Sequence, residues 1–227
     1  MEKISVIIPV RKTEDPAFLK RATKSVESQK GDFVFDISVS YAEGQANAVN
    51  EAVENSKYDI IAHLESDDVW HPRKTEIQFK YLEMYELITS NQLLFDDKDE
   101  LNTIAYYPTP SGWMMRKSIW DELGGMNPNF KYHIDMEFLG KFNNASHLKR
   151  LHIMNGDIPH KANQQSDFIN INKHSDIIFL NDLKKPLVRR MINPNGGMET
   201  INTNKKEGDI SLKEFALLEK IFGEKSF

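Results

Sequence analysis

The sequence predicts an α/β domain with a mostly parallel central sheet flanked by helices. Two observations support this prediction: strand-like apolar runs alternate with helical patterns over residues 1–90, and hydrophobic residues make up 40% of the chain. Strands that alternate with helices along a chain indicate parallel pairing with right-handed crossovers. With 227 residues, the chain has the length of one large domain or of one domain with an appendage.

The first 90 residues contain three strand–helix pairs. The first and third strands are apolar almost throughout, as in strands buried on both faces of a sheet, whereas the second alternates between apolar and polar residues. These strands are predicted at residues 4–10, 33–41 and 58–64. The helices are predicted at residues 15–30, 44–56 and 72–88. Pro72 suits the first position of the third helix because that position needs no backbone N–H group.

The second half of the chain is less regular. Short apolar runs predict strands at residues 93–95 and 103–107. Helical spacing predicts helices at residues 118–123, 134–143 and 212–222. The first of these ends at two consecutive glycines, which is a typical helix stop signal. We find no internal repeat and no low-complexity tract.

The composition excludes several classes of protein and site. The chain has no cysteine, which excludes disulfide scaffolds, thiolate zinc sites and cysteine nucleophiles. It contains neither the phosphate-binding loop of the P-loop NTPases nor the glycine fingerprint of dinucleotide-binding dehydrogenases. No run of 18 apolar residues predicts a membrane span, and the first residues do not resemble a secretory peptide. We therefore expect a cytoplasmic protein.

Charge is distributed unevenly along the chain, whose formal net charge is −5. The segment 141–190 is basic, with nine cationic residues against four acidic ones. The cationic residues are Lys141, Lys149, Arg150, Lys161, Lys173, Lys184, Lys185, Arg189 and Arg190. Such a segment contacts phosphates in some proteins and is merely a solvated surface in others, and the sequence leaves both interpretations open.

An acidic cluster follows the third predicted strand. Glu65, Asp67 and Asp68 lie within four residues, directly after the apolar run that ends at Leu64. In open α/β sheets, ligands bind beyond the carboxyl ends of the strands. Adjacent carboxylates repel each other, and a divalent cation such as Mg²⁺ or Mn²⁺ is the natural partner of such oxygen ligands. The alternative interpretation is an acidic turn that favours the N-terminus of the next helix.

The order of the motifs resembles that of glycosyltransferase family 2. In that family a strand ends in a DSDD-like acidic motif that is followed by a proline and a helix, as in Leu64–Pro72 here. Other segments are similar to the family's first strand, its glycine-led helix, the segment before its catalytic acid and its ED-like motif. These segments are residues 4–10, 44–52, 112–127 and 132–137. The resemblance covers about residues 3–140.

The resemblance implies a GT-A fold, which is Rossmann-like, and a metal-dependent, inverting hexosyl- or pentosyltransferase. The donor would be a nucleotide-diphosphate sugar, with a UDP-sugar expected first, and the cofactor would be Mn²⁺ or Mg²⁺. By position, Asp68 would be the chief metal ligand, Asp67 would bind the metal or the donor, and Asp135 would be the general base. A base of this kind must reach the acceptor hydroxyl on the face opposite the leaving group.

Position within the resemblance also assigns further candidate residues. Candidate donor-binding residues, besides Asp67, are Pro9, Arg11, Glu43, Gln45 and Asn50. His160 lies where related enzymes carry a segment that closes on the donor, so it is either a metal ligand or a loop histidine. We expect one domain over residues 1–227. Its parts are a nucleotide-sugar-binding half at 1–110, an acceptor and catalytic half at 111–170, and a C-terminal helical extension at 171–227.

The sequence determines neither the nucleotide base of the donor nor the identity of the acceptor. The family usually has a DDGS-like motif after its second strand, but here residues 37–44 run directly into the helix, which leaves Glu43 as the candidate contact to the base. We expect a glycan or a lipid-linked sugar as acceptor. A hydroxylated modified base in DNA is an alternative because of the basic segment 141–190. A further alternative is an inactive GT-A protein that binds a nucleotide sugar without turnover.

Overall fold

The computed structural model describes residues 1–96, 101–155, 173–180, 182–183, 185–193 and 197–223. The strands in these ranges are β1 (Glu2–Pro9), β2 (Phe33–Ser40), β3 (Ile60–His63), β4 (Val69–Trp70), β5 (Leu87–Ser90), β6 (Gln92–Phe95), β7 (Leu101–Ala105), β8 (Met114–Arg116), β9 (Arg150–Asn155), β10 (Asp176–Leu180) and β11 (Val188–Met191). The helices in the same ranges are α1 (Pro16–Glu27), α2 (Gln45–Glu54), α3 (Lys74–Phe79), α4 (Lys117–Glu122), α5 (Ile134–Asn144), α6 (Gly197–Thr203) and α7 (Lys205–Phe222).

A seven-stranded sheet forms the centre of the molecule, in the order β10-β9-β5-β8-β3-β1-β2. Its strands are parallel to their neighbours except β8, which is antiparallel to both β3 and β5. Helices flank the sheet, so the predicted α/β class with a mostly parallel central sheet is confirmed. Because β1 and β3 are parallel neighbours, their carboxyl ends lie at the same edge of the sheet.

A second sheet of four strands, in the order β4-β11-β6-β7, lies beyond that edge. Strand β11 is its central link, because it pairs antiparallel with β4 and parallel with β6. Strand β4 follows directly after the acidic cluster. The second sheet therefore brings a strand from near the C-terminus against the residues that follow β3.

Apolar side chains fill both faces of the central sheet. One cluster contains Ile4, Val6 and Ile8 of β1 with residues of α1. The other contains Ile7, Trp113 and residues of α2 and α5. The alternation of β1 residues between two buried faces explains why this strand is apolar almost throughout.

Local signals explain some of the helix boundaries. Asp15 caps α1, because its carboxylate accepts a hydrogen bond of 2.8 Å from the Ala17 backbone N–H, and Pro16 occupies the first turn. Gly125 has a φ of 64°, and a Cβ at this position would lie 2.7 Å from Asn50 Oδ1. Glycine is required there on both counts, because L-residues rarely adopt this conformation and the neighbour leaves no room for a side chain.

The predicted helix at 72–88 is wrong in its second half. Helix α3 ends at Phe79, and the chain passes through turns into β5, where Leu87, Ile88 and Thr89 are fully buried in the central sheet. The apolar residues that suggested one continuous helix belong to different parts of the chain: Tyr81 lies in the turns after α3, and Ile88 lies in β5. A buried strand of four residues is too short to be distinguished from a helix by periodicity alone.

The segment 171–227 differs from the helical extension that was expected. Before its helices α6 and α7, it contributes β10 to the central sheet and β11 to the second sheet. Strand β8 and strand β9 also escaped prediction, because short strands paired with distant partners carry little local signal. Among the described residues, no helix is both long enough and apolar enough to cross a membrane.

We predict that Phe138→Ala destabilises the fold. The Phe138 ring is fully buried on α5 and stacks on Trp120 and Trp113, with ring centroids 4.7 and 5.4 Å away. Loss of such a ring should lower the free energy of unfolding by about 3–5 kcal/mol. Urea denaturation followed by tryptophan fluorescence measures this change. Leu212→Ala, at a site that is 70% exposed, is the control and should change it by less than about 0.5 kcal/mol.

Candidate functional site

The acidic cluster lies at the carboxyl edge of the central sheet, as the sequence predicted. The Leu64 N–H donates to the Ile7 carbonyl at 3.0 Å and extends the pairing of β3 with β1. A turn follows, closed by a hydrogen bond of 3.1 Å from the Asp68 N–H to the Glu65 carbonyl. This turn brings Glu65, Asp67 and Asp68 together at the place where open α/β sheets bind ligands.

Asp68 is the most deeply buried of the three acids. Its side chain is 1% exposed, and both carboxylate oxygens are held in place. The Ser111 hydroxyl donates to Oδ2 at 2.5 Å, and the Met191 N–H of β11 donates to Oδ1 at 2.9 Å. Burial, followed by the negative charge of Asp67, raises the pKa of Asp68 to about 7. These contacts orient the carboxylate but leave its charge incompletely compensated.

Asp67 and Glu65 are half-buried beside it. The Asn193 side-chain amide donates to Asp67 Oδ2 at 2.9 Å, and Arg21 donates to the Asp67 carbonyl at 2.9 Å. Gln45 donates to Glu65 Oε1 at 3.1 Å. Burial and the charges of the two aspartates raise the pKa of Glu65 to about 8. The three carboxylates therefore repel one another at short range.

Arg190 of β11 provides positive charge in this cluster. Its charge opposes the rise in the pKa of Glu65, Asp68 and Asp135 that burial causes. It therefore lies within electrostatic reach of all three carboxylates. In the sequence Arg190 is only one residue of a basic segment, and this role could not be predicted because nothing local indicates that β11 pairs with β4.

Asp135, the predicted base, lies in the first turn of α5. It is half-buried, and burial raises the pKa of its carboxyl group. The Met136 N–H donates to Asp135 Oδ1 at 2.9 Å. The charges of Arg190 and His133 act in the opposite direction on the same pKa. The charge of Arg190 therefore acts on both Asp135 and Asp68.

The structure places the predicted donor-binding residues in different settings. Pro9 ends β1 at the edge that carries the acids, and Gln45 contacts Glu65 directly. Arg11 forms an ion pair of 2.9 Å with Glu14, and the charge of Arg11 opposes the rise in the pKa of Asp67 caused by burial.

Two other predicted residues show no contact with the acids. Glu43 is exposed, and its carbonyl accepts a hydrogen bond of 2.9 Å from Asn47. Asn50 uses its amide to hold the loop after α4: it donates to the Met126 carbonyl at 2.8 Å and accepts from the Met126 N–H at 3.0 Å. The predicted metal ligand His160 lies outside the described residues.

The carboxylate oxygens of the acidic cluster suit a divalent cation whose remaining ligands come from a substrate. In the described part of the chain, no group of three Asp, Glu or His side chains is arranged to hold a metal ion by itself. Magnesium sites commonly use one or two carboxylates and complete their coordination with substrate phosphates. Burial and, after it, the charge of Asp67 raise the pKa of Asp68, and a bound cation would offset both effects.

The chain matches no protein-family model, and no curated protein matches its sequence. Its structure is similar to solved glycosyltransferase structures at low sequence identity. S. aureus TarS 1-349 in complex with UDP gives a TM-score of 0.54 at 12% identity, over 88% of this chain and 63% of that one. The same protein with UDP-GlcNAc gives 0.54 at 10% identity, over 87% and 61%.

A mannosyltransferase from Pyrobaculum calidifontis, PcManGT, in complex with GDP-Man and Mn²⁺, gives a TM-score of 0.50 at 10% identity. The match covers 75% of this chain and 61% of that one. The present chain therefore spans about three fifths of the length of these proteins. At these identities the similarity shows the fold: the chain has the mixed α/β architecture of these glycosyltransferase structures.

Proposed function

We propose that this protein is a metal-dependent glycosyltransferase that moves a sugar from a nucleotide-diphosphate donor to an acceptor hydroxyl with inversion. The observation that carries the proposal is the pair Asp67 and Asp68 at the carboxyl edge of the sheet, where the Met191 N–H holds Asp68 and the positive charge of Arg190 acts on both Asp68 and Asp135. The similarity to structures that hold UDP, UDP-GlcNAc and GDP-Man with Mn²⁺ supports it.

Asp68 and Asp67 would hold Mn²⁺ or Mg²⁺ together with the diphosphate of the donor. The Asp68 carboxylate is already oriented by Ser111 and Met191, and Asn193 orients Asp67. When bound, the cation supplies Lewis-acid stabilisation of the negative charge that develops on the departing diphosphate. His160 stays a candidate additional ligand from the sequence.

A UDP-sugar is the donor that we propose. Gln45 donates a hydrogen bond to Glu65, and the charge of Arg11 acts on Asp67. We therefore expect both residues to contact the donor. Arg190 would interact with the departing diphosphate, since phosphate oxygens are favoured partners of a guanidinium group. The exposed Glu43 stays the candidate contact to the base.

Asp135 would act as the general base. A base for the inverting reaction must remove the acceptor proton from the side of the sugar opposite the leaving group. Asp135 comes from α5, whereas Asp67 and Asp68 follow β3, so the base and the acids approach the reaction centre from different elements. Burial raises the pKa of Asp135, which strengthens it as a proton acceptor.

The contacts of the basic segment favour a glycan or lipid-linked sugar over DNA as the acceptor. Several of its cations are engaged within the fold: Lys141 pairs with Glu137 at 3.1 Å, Arg150 is 4% exposed, and the Arg189 guanidinium lies 4.7 Å from the centre of the Phe95 ring. Arg190 faces the acids. Cations used in this way do not form a continuous surface for a phosphate backbone.

Replacement of Asp135, the proposed general base, distinguishes a transferase from an inactive nucleotide-sugar-binding protein. We predict that Asp135→Asn lowers kcat by about 10²–10⁴-fold, because it removes the proton acceptor but keeps the Oδ1 that accepts from Met136. The affinity for UDP with Mn²⁺ should not change. Sugar transfer or donor hydrolysis, assayed across a panel of nucleotide sugars, measures the first effect, and calorimetry measures the second.

Asp121→Asn, an exposed change of the same chemistry on α4, is the matched control and should keep the wild-type rate. A wild-type rate in Asp135→Asn would contradict the role of this residue. Binding of nucleotide sugars by the wild type without released nucleotide would instead establish the inactive-binder alternative.

The buried acids also predict how stability depends on pH without metal. Asp68 and Glu65 have pKa values of about 7 and 8 in the folded protein, above those of the unfolded chain. Between about pH 4 and pH 8 these two acids hold more protons in the folded protein, so their contribution to the unfolding free energy should fall as pH rises. Burial lowers the pKa of His63 and His152 to about 3, and these histidines act in the opposite direction below about pH 6.5, so we expect the total to fall from about pH 7 to pH 8. Asp68→Asn removes one charge and should raise this free energy at about pH 8 by on the order of 2 kcal/mol.

Urea unfolding in EDTA at about pH 7 and pH 8, above the range in which the histidines of the unfolded chain titrate, measures this dependence. Addition of Mn²⁺ at about 100 times its dissociation constant should stabilise the wild type at pH 8 by about 2.7 kcal/mol. It should stabilise Asp68→Asn much less. Equal stabilisation of both proteins would show that Asp68 does not hold the cation.

A further inference from the structure

We propose that Glu214 of the C-terminal helix α7 is a positioning residue for Asp135. This inference rests on the proposed function, because it assigns Asp135 the role of base. Glu214 is 79 residues away from Asp135 in the sequence, and it acts through the segment that leads into α5.

One buried carboxylate holds three consecutive backbone N–H groups of that segment. Glu214 Oε1 accepts from the Lys131 N–H at 2.5 Å, and Oε2 accepts from the N–H groups of Tyr132 and His133 at 2.9 and 3.2 Å. The Glu214 residue is 8% exposed. Charge-assisted hydrogen bonds of this kind are about twice as strong as neutral ones, and here they converge on one short segment.

Two further side chains of α7 hold the same segment. Ser211 lies 2.8 Å from His133 Nε2, and Glu207 accepts from Lys131 Nζ and from the Tyr132 hydroxyl, both at 2.7 Å. Residues 207, 211 and 214 are spaced by four and three, so they occupy one face of the helix. The part of this face formed by residues 207, 211 and 214 is polar because it contacts the backbone and side chains before α5, whereas Leu218, further along the same face, is buried in the apolar core.

The held segment determines where the first turn of α5 begins. His133 is the residue before α5, and its carbonyl accepts the first helical hydrogen bond from the Glu137 N–H at 2.9 Å. Asp135 lies two residues after the last residue that Glu214 holds. A displacement of His133 would therefore move the Asp135 carboxylate relative to the acids that follow β3.

The other end of α7 fixes α5 as well. Phe222 packs so closely on Gly140 that a Cβ there would lie 2.6 Å from its ring. Helix α7 therefore contacts both the segment before α5 and α5 itself. Because a misplacement of about 1 Å at a reacting group costs about 10²-fold in rate, this anchoring can determine kcat.

The central experiment compares Glu214→Ala and Glu214→Gln with the wild type. Glu214→Ala should lower kcat by about 10–100-fold, while the KM for the donor and the affinity for UDP with Mn²⁺ stay unchanged. Glu214→Gln keeps one acceptor oxygen, so its kcat should lie between those of Glu214→Ala and the wild type. Asp209→Asn, which removes a negative charge from an exposed position of the same helix, is the matched control and should keep the wild-type kcat.

A double-mutant cycle tests whether Glu214 acts through Asp135. In the Asp135→Asn background, Glu214→Gln should cause no further loss of residual activity, because the group that it positions is already gone. A further loss equal to that in the wild-type background would overturn the proposal. A parallel rise of the donor KM and fall of kcat would also overturn it, since a general loss of structure would then explain the result.

Amide hydrogen exchange provides a readout that does not need activity. Exchange of residues 131–136 should become at least about tenfold faster in Glu214→Gln, whereas β1 and β3 should keep their protection. Unchanged exchange would overturn the proposal even if sugar transfer is established. Faster exchange in a protein that transfers no sugar would instead leave the anchoring intact and reject the proposed function.

Discussion

Burial of like charges at the end of β3 is the constraint on which the site depends. Asp68 is buried and the adjacent Asp67 is half-buried, so their repulsion has to be compensated by the rest of the fold. The compensation comes from distant parts of the sequence: the Ser111 hydroxyl, the Met191 N–H and the charge of Arg190. Met191 and Arg190 both belong to β11, and β11 is held against the acids by its pairing with β4 and β6 in the second sheet.

Much of the first half of the fold could be predicted from the sequence, since its elements carry strong local patterns. Strands β1 to β3 and helices α1 and α2 lie within a few residues of their predicted positions. The error at residues 72–88 has a physical cause: Thr89 and Ser90 are polar but fully buried in β5, and a buried strand with polar residues has no period-2 signal. Strands β9 to β11 pair with partners far away in the chain, and local pattern cannot reveal such pairing.

The candidate site follows the same division. The position of Asp67 and Asp68 at the sheet edge could be predicted because a motif after a buried strand is a local feature, whereas the role of Asp135 rests on the resemblance to a family motif and stays a prediction. Arg190 could not be predicted, since its importance depends on the pairing of β11 with β4. Glu214 did have a sequence signal that went unused: a polar residue on the same helix face as the buried Leu218 indicates a specific partner.

The acids after β3 and the segment before Asp135 are thus held by separate anchors, and both anchors come from the last part of the chain. Strand β11 fixes the Asp68 carboxylate, and α7 fixes the segment before Asp135. The two parts of the candidate site are held by Met191 and Glu214, so the position of Asp135 relative to the acids depends on how β11 and α7 pack against the rest of the fold. A single terminal region that contacts both groups can set the distance between them.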